Sequence, residues 1–120
     1  MRIIDSNLII YFAKPGFSWL NSHIQTLDAH FSVLTKVEVL GYHMPESREK
    51  FFFETYFKSI TMLQPTEDII ETAIRLRQFR KMSLGDSVIA ATALVHDLDL
   101  YTHNVSDFSG IEGLRVVDPI

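Results

Sequence analysis

The sequence predicts an α/β fold of three layers (α/β/α), with helices on both faces of a parallel sheet of four to five short strands. Three observations predict it. Short apolar runs bounded by turn residues recur along the chain and are separated by helical patterns almost throughout, the spacing of β-α-β units. Those runs do not alternate apolar with polar, as expected of strands buried on both faces. The run Val88 to Val95 has no charge, and its Ala90, Ala91 and Ala93 would let a helix lie close to a sheet.

In order, Arg2-Ile3-Ile4-Asp5 reads as a strand ending in a carboxylate, and Leu8 to Phe12 as a helix broken by Pro15-Gly16. Trp19 to Leu27 has helical spacing. His30 to Leu34 is the second strand, and Thr35-Lys36-Val37-Glu38 opens a helix with a capping-box pattern that Pro45 ends. Glu46 to Ser59 is an aromatic-rich helix. Ile60 to Leu63 is the third strand, closed by Pro65. Thr66 caps a helix running to about Lys81, with Glu67 and Asp68 where the macrodipole favours anions. Ser83 and Asp86 form another capping-box pattern ahead of the alanine-rich helix. Asp97 and Asp99 bracket a turn, Leu100-Tyr101-Thr102 is the fourth strand, and Arg115-Val116-Val117 is a last short one.

The 120 residues suit a single domain over 1–120. An apolar fraction of 47 % and a charged fraction of 22 % are ordinary for a globular protein. The absence of cysteine excludes disulfides and thiolate metal sites and fits a cytoplasmic setting. No signal-peptide pattern or membrane-length apolar run is expected. The net charge of −4 excludes a general nucleic-acid coat and leaves room for a local basic patch. The five histidines show no ligand spacing.

Asp5, Glu38 and Asp86 each fall at a strand's carboxyl end or the helix start beyond it, and Asn104 and Asp107 follow the fourth strand. Singly, Asp5 fits an N-cap, and Glu38 and Asp86 fit capping boxes contributing about 1 kcal/mol each. Together they fall on one rim of a parallel sheet, the rim where open α/β folds bind ligands. Clustered carboxylates repel one another unless a cation or shared protons compensate. Hard oxygen donors without cysteine select Mg²⁺ or Mn²⁺, and such sites serve phosphate chemistry.

Four segments carry a family resemblance: Ile4-Asp5-Ser6-Asn7, Thr35 to Gly41 (TKVEVLG), Gly85 to Ala93 (GDSVIAATA) and Leu100 to Phe108 (LYTHNVSDF), with Val117-Asp118-Pro119 at the end. In this order, over nearly the whole chain, they resemble a PIN domain of the VapC type, the ribonuclease toxin of a toxin–antitoxin pair. The resemblance implies a metal-dependent endoribonuclease in which activated water leaves a 5′-phosphate and a 3′-hydroxyl. It implies that Asp5, Glu38 and Asp86 are metal ligands and catalytic acids. Asn104 or Asp107 occupies the fourth ligand position, Asp107 being the acid of the two, and Asn7 and Thr102 are supporting polar residues. It also implies an RNA substrate, a cognate antitoxin and a homodimer. The alternative is a catalytically silent PIN-like module that only binds a partner. A signalling receiver domain is rejected: Asp5 stands alone after the first strand, no Asp closes Ile60 to Leu63, and no lysine follows Thr102.

Two further clusters stand out. Arg75, Arg77, Arg80 and Lys81 could hold an RNA backbone or complement a helix end. Phe51, Phe52, Phe53, Tyr56 and Phe57 load one helix with more aromatic surface than a single face buries. The expectation is that Phe53 and Phe57 point inward and that Phe52 and Tyr56 form a partner interface.

Overall fold

Ile3 and Ile4 are adjacent in a strand, so their side chains leave opposite faces of the sheet, yet both are fully buried. Helices must therefore cover both faces. The chain is described from a computed structural model over residues 1–41 and 46–120. Strand β1 (Arg2–Ile4) lies at the centre of a five-stranded sheet of order β3-β2-β1-β4-β5. The others are β2 (Ala29–Ser32), β3 (Thr61–Leu63), β4 (Asp99–Tyr101) and β5 (Val116–Val117), and every pairing is parallel.

Six α-helices occur among the described residues: α1 (Ser6–Phe12), α2 (Asn21–Ile24), α3 (Val33–Leu40), α4 (Ser47–Ser59), α5 (Glu67–Phe79) and α6 (Leu84–His96). Ile4 joins Leu8, Ile9, Phe31, Val39, Phe53 and Phe57 in the core on one face of the sheet. Ile3 joins Ile89, Ala90, Ala93, Leu100 and Phe108 on the other. Each fully buried branched side chain contributes about 1.5–3 kcal/mol of transfer free energy. The alanines of α6 allow close packing on the sheet, while Val88 and Ala91 meet Ile69 and Ala73 of α5.

The predicted order of elements matches, and several boundaries move. The stretch from Trp19 splits into a 3-10 turn (Ser18–Leu20) and α2, which ends at Ile24 rather than Leu27. Helix α3 begins earlier than expected. Ser32 is its N-cap, accepting from the Leu34 N–H at 3.3 Å, so Thr35 and Glu38 are interior residues and not a capping box. Gly41 closes α3, its N–H donating to the Val37 carbonyl at 2.8 Å; Pro45, the expected stop, lies outside the described residues. Thr66 and Ser83 cap α5 and α6 as predicted. Asp97 ends α6 in the left-handed conformation (φ 55°), and Arg115 holds both Asp97 and Asp99 around the turn.

The aromatic helix corrects one expectation. Tyr56 is 2 % exposed, and its hydroxyl donates to the Ile24 carbonyl at 2.7 Å, so it is core and not a partner surface. Phe52 is half-buried against Phe12. Helix α4 buries more than one face because α1, α2 and β2 enclose it: Phe57 packs against Phe31 with tilted rings while Tyr56 and Phe52 meet Phe12. Phe51 alone of the five stays largely exposed, at 72 %.

Strand order decides where the acids meet. The chain leaves β1 towards β2 and β3, then returns on its other side through β4 and β5. The crevice at the carboxyl ends of β1 and β4 is therefore a topological switch point. Ile4 pairs with Tyr101, and Tyr101 with Val117, which sets Asp5, Thr102 and Asp118 along one edge.

Candidate functional site

Asp5 leaves the end of β1 and is the N-cap of α1, with only 6 % of its surface exposed. Its Oδ1 accepts from the Ser6 N–H at 2.8 Å; its Oδ2 accepts from Thr102 Oγ1 and from Asn7 Nδ2, each at 2.9 Å. The Thr102 hydroxyl also accepts from Asn7 Nδ2 and from the Asn104 N–H, both at 3.0 Å, so its donor and both acceptor positions are used. Asn7 Oδ1 accepts from the His103 N–H at 3.0 Å. Capping and site duties thus divide between the two oxygens of one carboxylate. Burial pushes the Asp5 carboxyl above its ordinary pKa, against the pull of the hydrogen bonds from Thr102, Ser6 and Asn7.

Glu38, in the second turn of α3, reaches across to the first turn of α6. A Cβ placed on Gly85 would lie 3.3 Å from Glu38 Oε1, so glycine there leaves room for the carboxylate. Asp86 follows in that same turn, its N–H donating to Ser83 Oγ at 3.1 Å. Both carboxyls are raised by partial burial first and by neighbouring charge second: Asp5 and Asp86 act on Glu38, and Asp5 and Asp107 act on Asp86, with the Ser83 hydroxyl partly opposing the last. Asp107 lies exposed in a 3-10 turn (Val105–Phe108) after β4. Asn104 enters the network through its backbone, donating to Thr102 and accepting from the Asp107 N–H at 3.1 Å.

The donor set is therefore hard carboxylate oxygen, held close enough that neighbouring acids disfavour the charge of Glu38 and of Asp86. This chemistry fits a divalent cation, whose charge would relieve the repulsion. Among the described residues, no group of three acidic or histidine side chains is drawn together closely enough to hold a metal ion as they stand.

No protein-family model matches the sequence. A curated relative does: ribonuclease VapC10 of Mycobacterium tuberculosis is 30% identical over 125 aligned residues, covering 96% of this chain and 91% of that protein. The chain belongs to the VapC family of PIN-domain ribonuclease toxins. A toxin-antitoxin complex from Klebsiella pneumoniae superposes with a TM-score of 0.79 at 28% identity, covering 100% of this chain and 98% of that one. VapBC-1 from nontypeable Haemophilus influenzae has the same fold, with a TM-score of 0.79 at 24% identity and coverage of 98% and 96%.

Within this VapC fold three of the four expected cations line two cavities that have Arg80 in common. Arg75 donates to Thr72 at 3.2 Å and lines a cavity of about 490 Å³ with Phe79, Arg80, Leu94 and Ile111. Arg77 is exposed in the last turn of α5. Arg80 and Lys81 line a cleft of about 460 Å³ whose other wall holds Ser83, Asp86, Ser106 and Asp107. Only these two stand beside the acids. Sequence reasoning passed over Gly85, whose missing side chain admits Glu38, and the pair formed by His103 Nδ1 and Asp118 Oδ2 at 3.0 Å. Glycine beside an acid in a helix's first turn was the available signal for the former; the latter had none. No helix among the described residues is long and apolar enough to cross a membrane.

Proposed function

We propose that the chain is a Mg²⁺- or Mn²⁺-dependent endoribonuclease, the toxin of a toxin–antitoxin pair. The observation that carries this is the convergence of Asp5, Glu38 and Asp86 from β1, α3 and α6 at the switch point, each raising or being raised by another. Asp5, Glu38 and Asp86 would hold the cation, with Asp107 as the fourth acid. Asp107 is preferred to Asn104 because its charge reaches Asp86, whereas Asn104 works through its backbone. When bound, the cation supplies charge neutralisation at a phosphodiester and lowers the pKa of water. Asn7 and Thr102 keep Asp5 oriented and favour its ionised form, and the 460 Å³ cleft, with Lys81 on its wall beside Asp86 and Asp107, suits an anionic strand beside the acids.

The relatives support the rest of the reading. A ribonuclease at 30% identity supports RNA as substrate, and a toxin-antitoxin complex at 28% identity supports an antitoxin partner. A homodimer and a cytoplasmic setting belong to the same proposal. The purified protein should cleave a structured RNA with Mg²⁺ or Mn²⁺ and stop in EDTA, and Asp5→Asn should abolish cleavage. Undiminished cleavage in EDTA would sink the metal mechanism; folded protein that binds metal and antitoxin without cleaving any RNA would favour the silent module.

A further inference from the structure

Arg80 is held by groups other than a ligand. Helix α5 ends at Phe79, and Arg80 follows as an extended C-cap whose N–H donates to the Leu76 carbonyl at 3.1 Å. Its side chain crosses to the 3-10 turn that contains Asp107. There Nη2 donates to the Asp107 carbonyl at 3.3 Å and Nη1 donates to the Ser109 carbonyl. Carbonyls at the end of a helical turn have no partner within the turn, and a cation there also complements the local dipole. At its other end, the Asp107 N–H is fixed by the Asn104 carbonyl at 3.1 Å, and Asn104 is in turn tied to Thr102. The backbone of Asp107 is thus clamped on both sides, by the switch-point network at its N–H and by Arg80 at its carbonyl. The carboxylate between these clamps lines the same cleft as Asp86.

We propose that Arg80 is a positioning residue: its two-pronged guanidinium sets the turn that presents the Asp107 carboxylate opposite Asp86, and it does not serve as a contact for RNA phosphate. This rests on the reading of Asp107 as the fourth acid of a metal site. A planar fork satisfies two carbonyls at once, which the point charge of a lysine cannot do. Partners behind a metal ligand typically alter affinity by 10–100-fold when removed. A backbone-mediated clamp belongs at the low end of that range.

The test uses the whole chain and Mn²⁺ alone as probe, by isothermal titration calorimetry, with RNA KM measured over a KCl series. Arg80→Met should weaken Mn²⁺ binding roughly tenfold, and Arg80→Lys should not restore it. On an Asp107→Asn background, Arg80→Met should add nothing, because the carboxylate it positions is gone. The dependence of KM on salt should keep its wild-type slope in Arg80→Met, since no phosphate contact is lost. Arg80→Lys keeps the charge and carries the comparison if Arg80→Met does not fold. Wild-type Mn²⁺ affinity in both variants, or rescue by lysine together with a shallower salt slope in Arg80→Met, overturns the positioning role alone. Absence of Mn²⁺ binding to the wild type overturns the metal-site reading and this inference with it.

Discussion

Thr102 donates its hydroxyl to the Asp5 carboxylate across 2.9 Å, joining residues 97 positions apart in the chain. The bond exists because β1 and β4 are neighbours although the whole first half of the sheet lies between them in sequence. Thr102→Val keeps the shape and removes the hydroxyl, leaving Asp5, Asn7 and the Asn104 N–H each short of one partner. The expected loss of stability is about 1–3 kcal/mol by urea denaturation. The Asp5 carboxyl should titrate higher than in the wild type by carboxyl NMR, since the hydrogen bond opposes burial. Thr102→Ser should restore both; an unmoved Asp5 titration would remove Thr102 from the site.

Asp86 separates a metal-site acid from a helix-start residue. Asp86→Asn retains the N–H that donates to Ser83. The α6 dipole favours the charged form by about 0.3–1 kcal/mol, whereas burial first and then the charges of Asp5 and Asp107 disfavour it and raise the carboxyl. In EDTA the variant should therefore melt above the wild type. With Mg²⁺ the order should narrow or reverse, because the cation stabilises the protein that binds it better. Identical melting of both proteins in both buffers would mean that Asp86 senses neither its neighbours nor a metal.

Stability should depend on pH in an unusual direction without metal. Asp5, Glu38 and Asp86 have folded pKa values raised above their unfolded ones, so the folded chain binds more protons in the interval between. Their ionisation destabilises the fold fully above that interval, and the penalty disappears as pH falls through it. In EDTA the melting temperature should rise as pH drops from neutral towards the ordinary carboxylate range, about 4. Below that range it should fall, as Asp28 loses the charge that the Thr26 hydroxyl and then Arg2 stabilise. Mg²⁺ should reverse the upper limb, because its ligands must be deprotonated. A metal-free melting temperature that declines steadily from neutral pH downwards contradicts this account.

Gly85→Ala probes the room left for Glu38. Alanine suits a helix better than glycine by about 1 kcal/mol, and its Cβ would meet the mobile end of Glu38 rather than backbone. The variant should melt no lower than the wild type while binding Mn²⁺ more weakly. Wild-type Mn²⁺ affinity would show that the approach of Glu38 to α6 has no bearing on the cation.

The aromatic residues of α4 should sort by burial. Tyr56→Phe removes the donor to the Ile24 carbonyl and should cost about 1–3 kcal/mol. Phe57→Ala should cost about 3–5 kcal/mol. Phe51→Ser, at a site that is 72 % exposed, should leave stability within about 0.5 kcal/mol. Equal losses from all three, by denaturant titration, would contradict the packing of this helix.

What the amino-acid order determines by itself is local. Ser83 and Thr66 are legible as caps because a cap is a contact over three residues, and the β-α-α rhythm is legible because apolar spacing changes with each element. Asp5, Glu38 and Asp86 are legible as one rim because parallel strands separated by helices leave few other arrangements. Glu38 has no capping role because the helix is capped by Ser32, where the last buried strand position doubles as cap. Tyr56 is buried although helical spacing places it off the main inward face, because α1 and α2 fold over it. The division of labour among Arg75, Arg80 and Lys81 is likewise tertiary, since Arg80 acquires its partners from a turn 27 to 29 residues away. Such contacts depend on strand order and on which loops are brought together, and loop-closure entropy distinguishes alternatives too weakly for local sequence to select them. Only the packed sheet places Thr102 against Asp5.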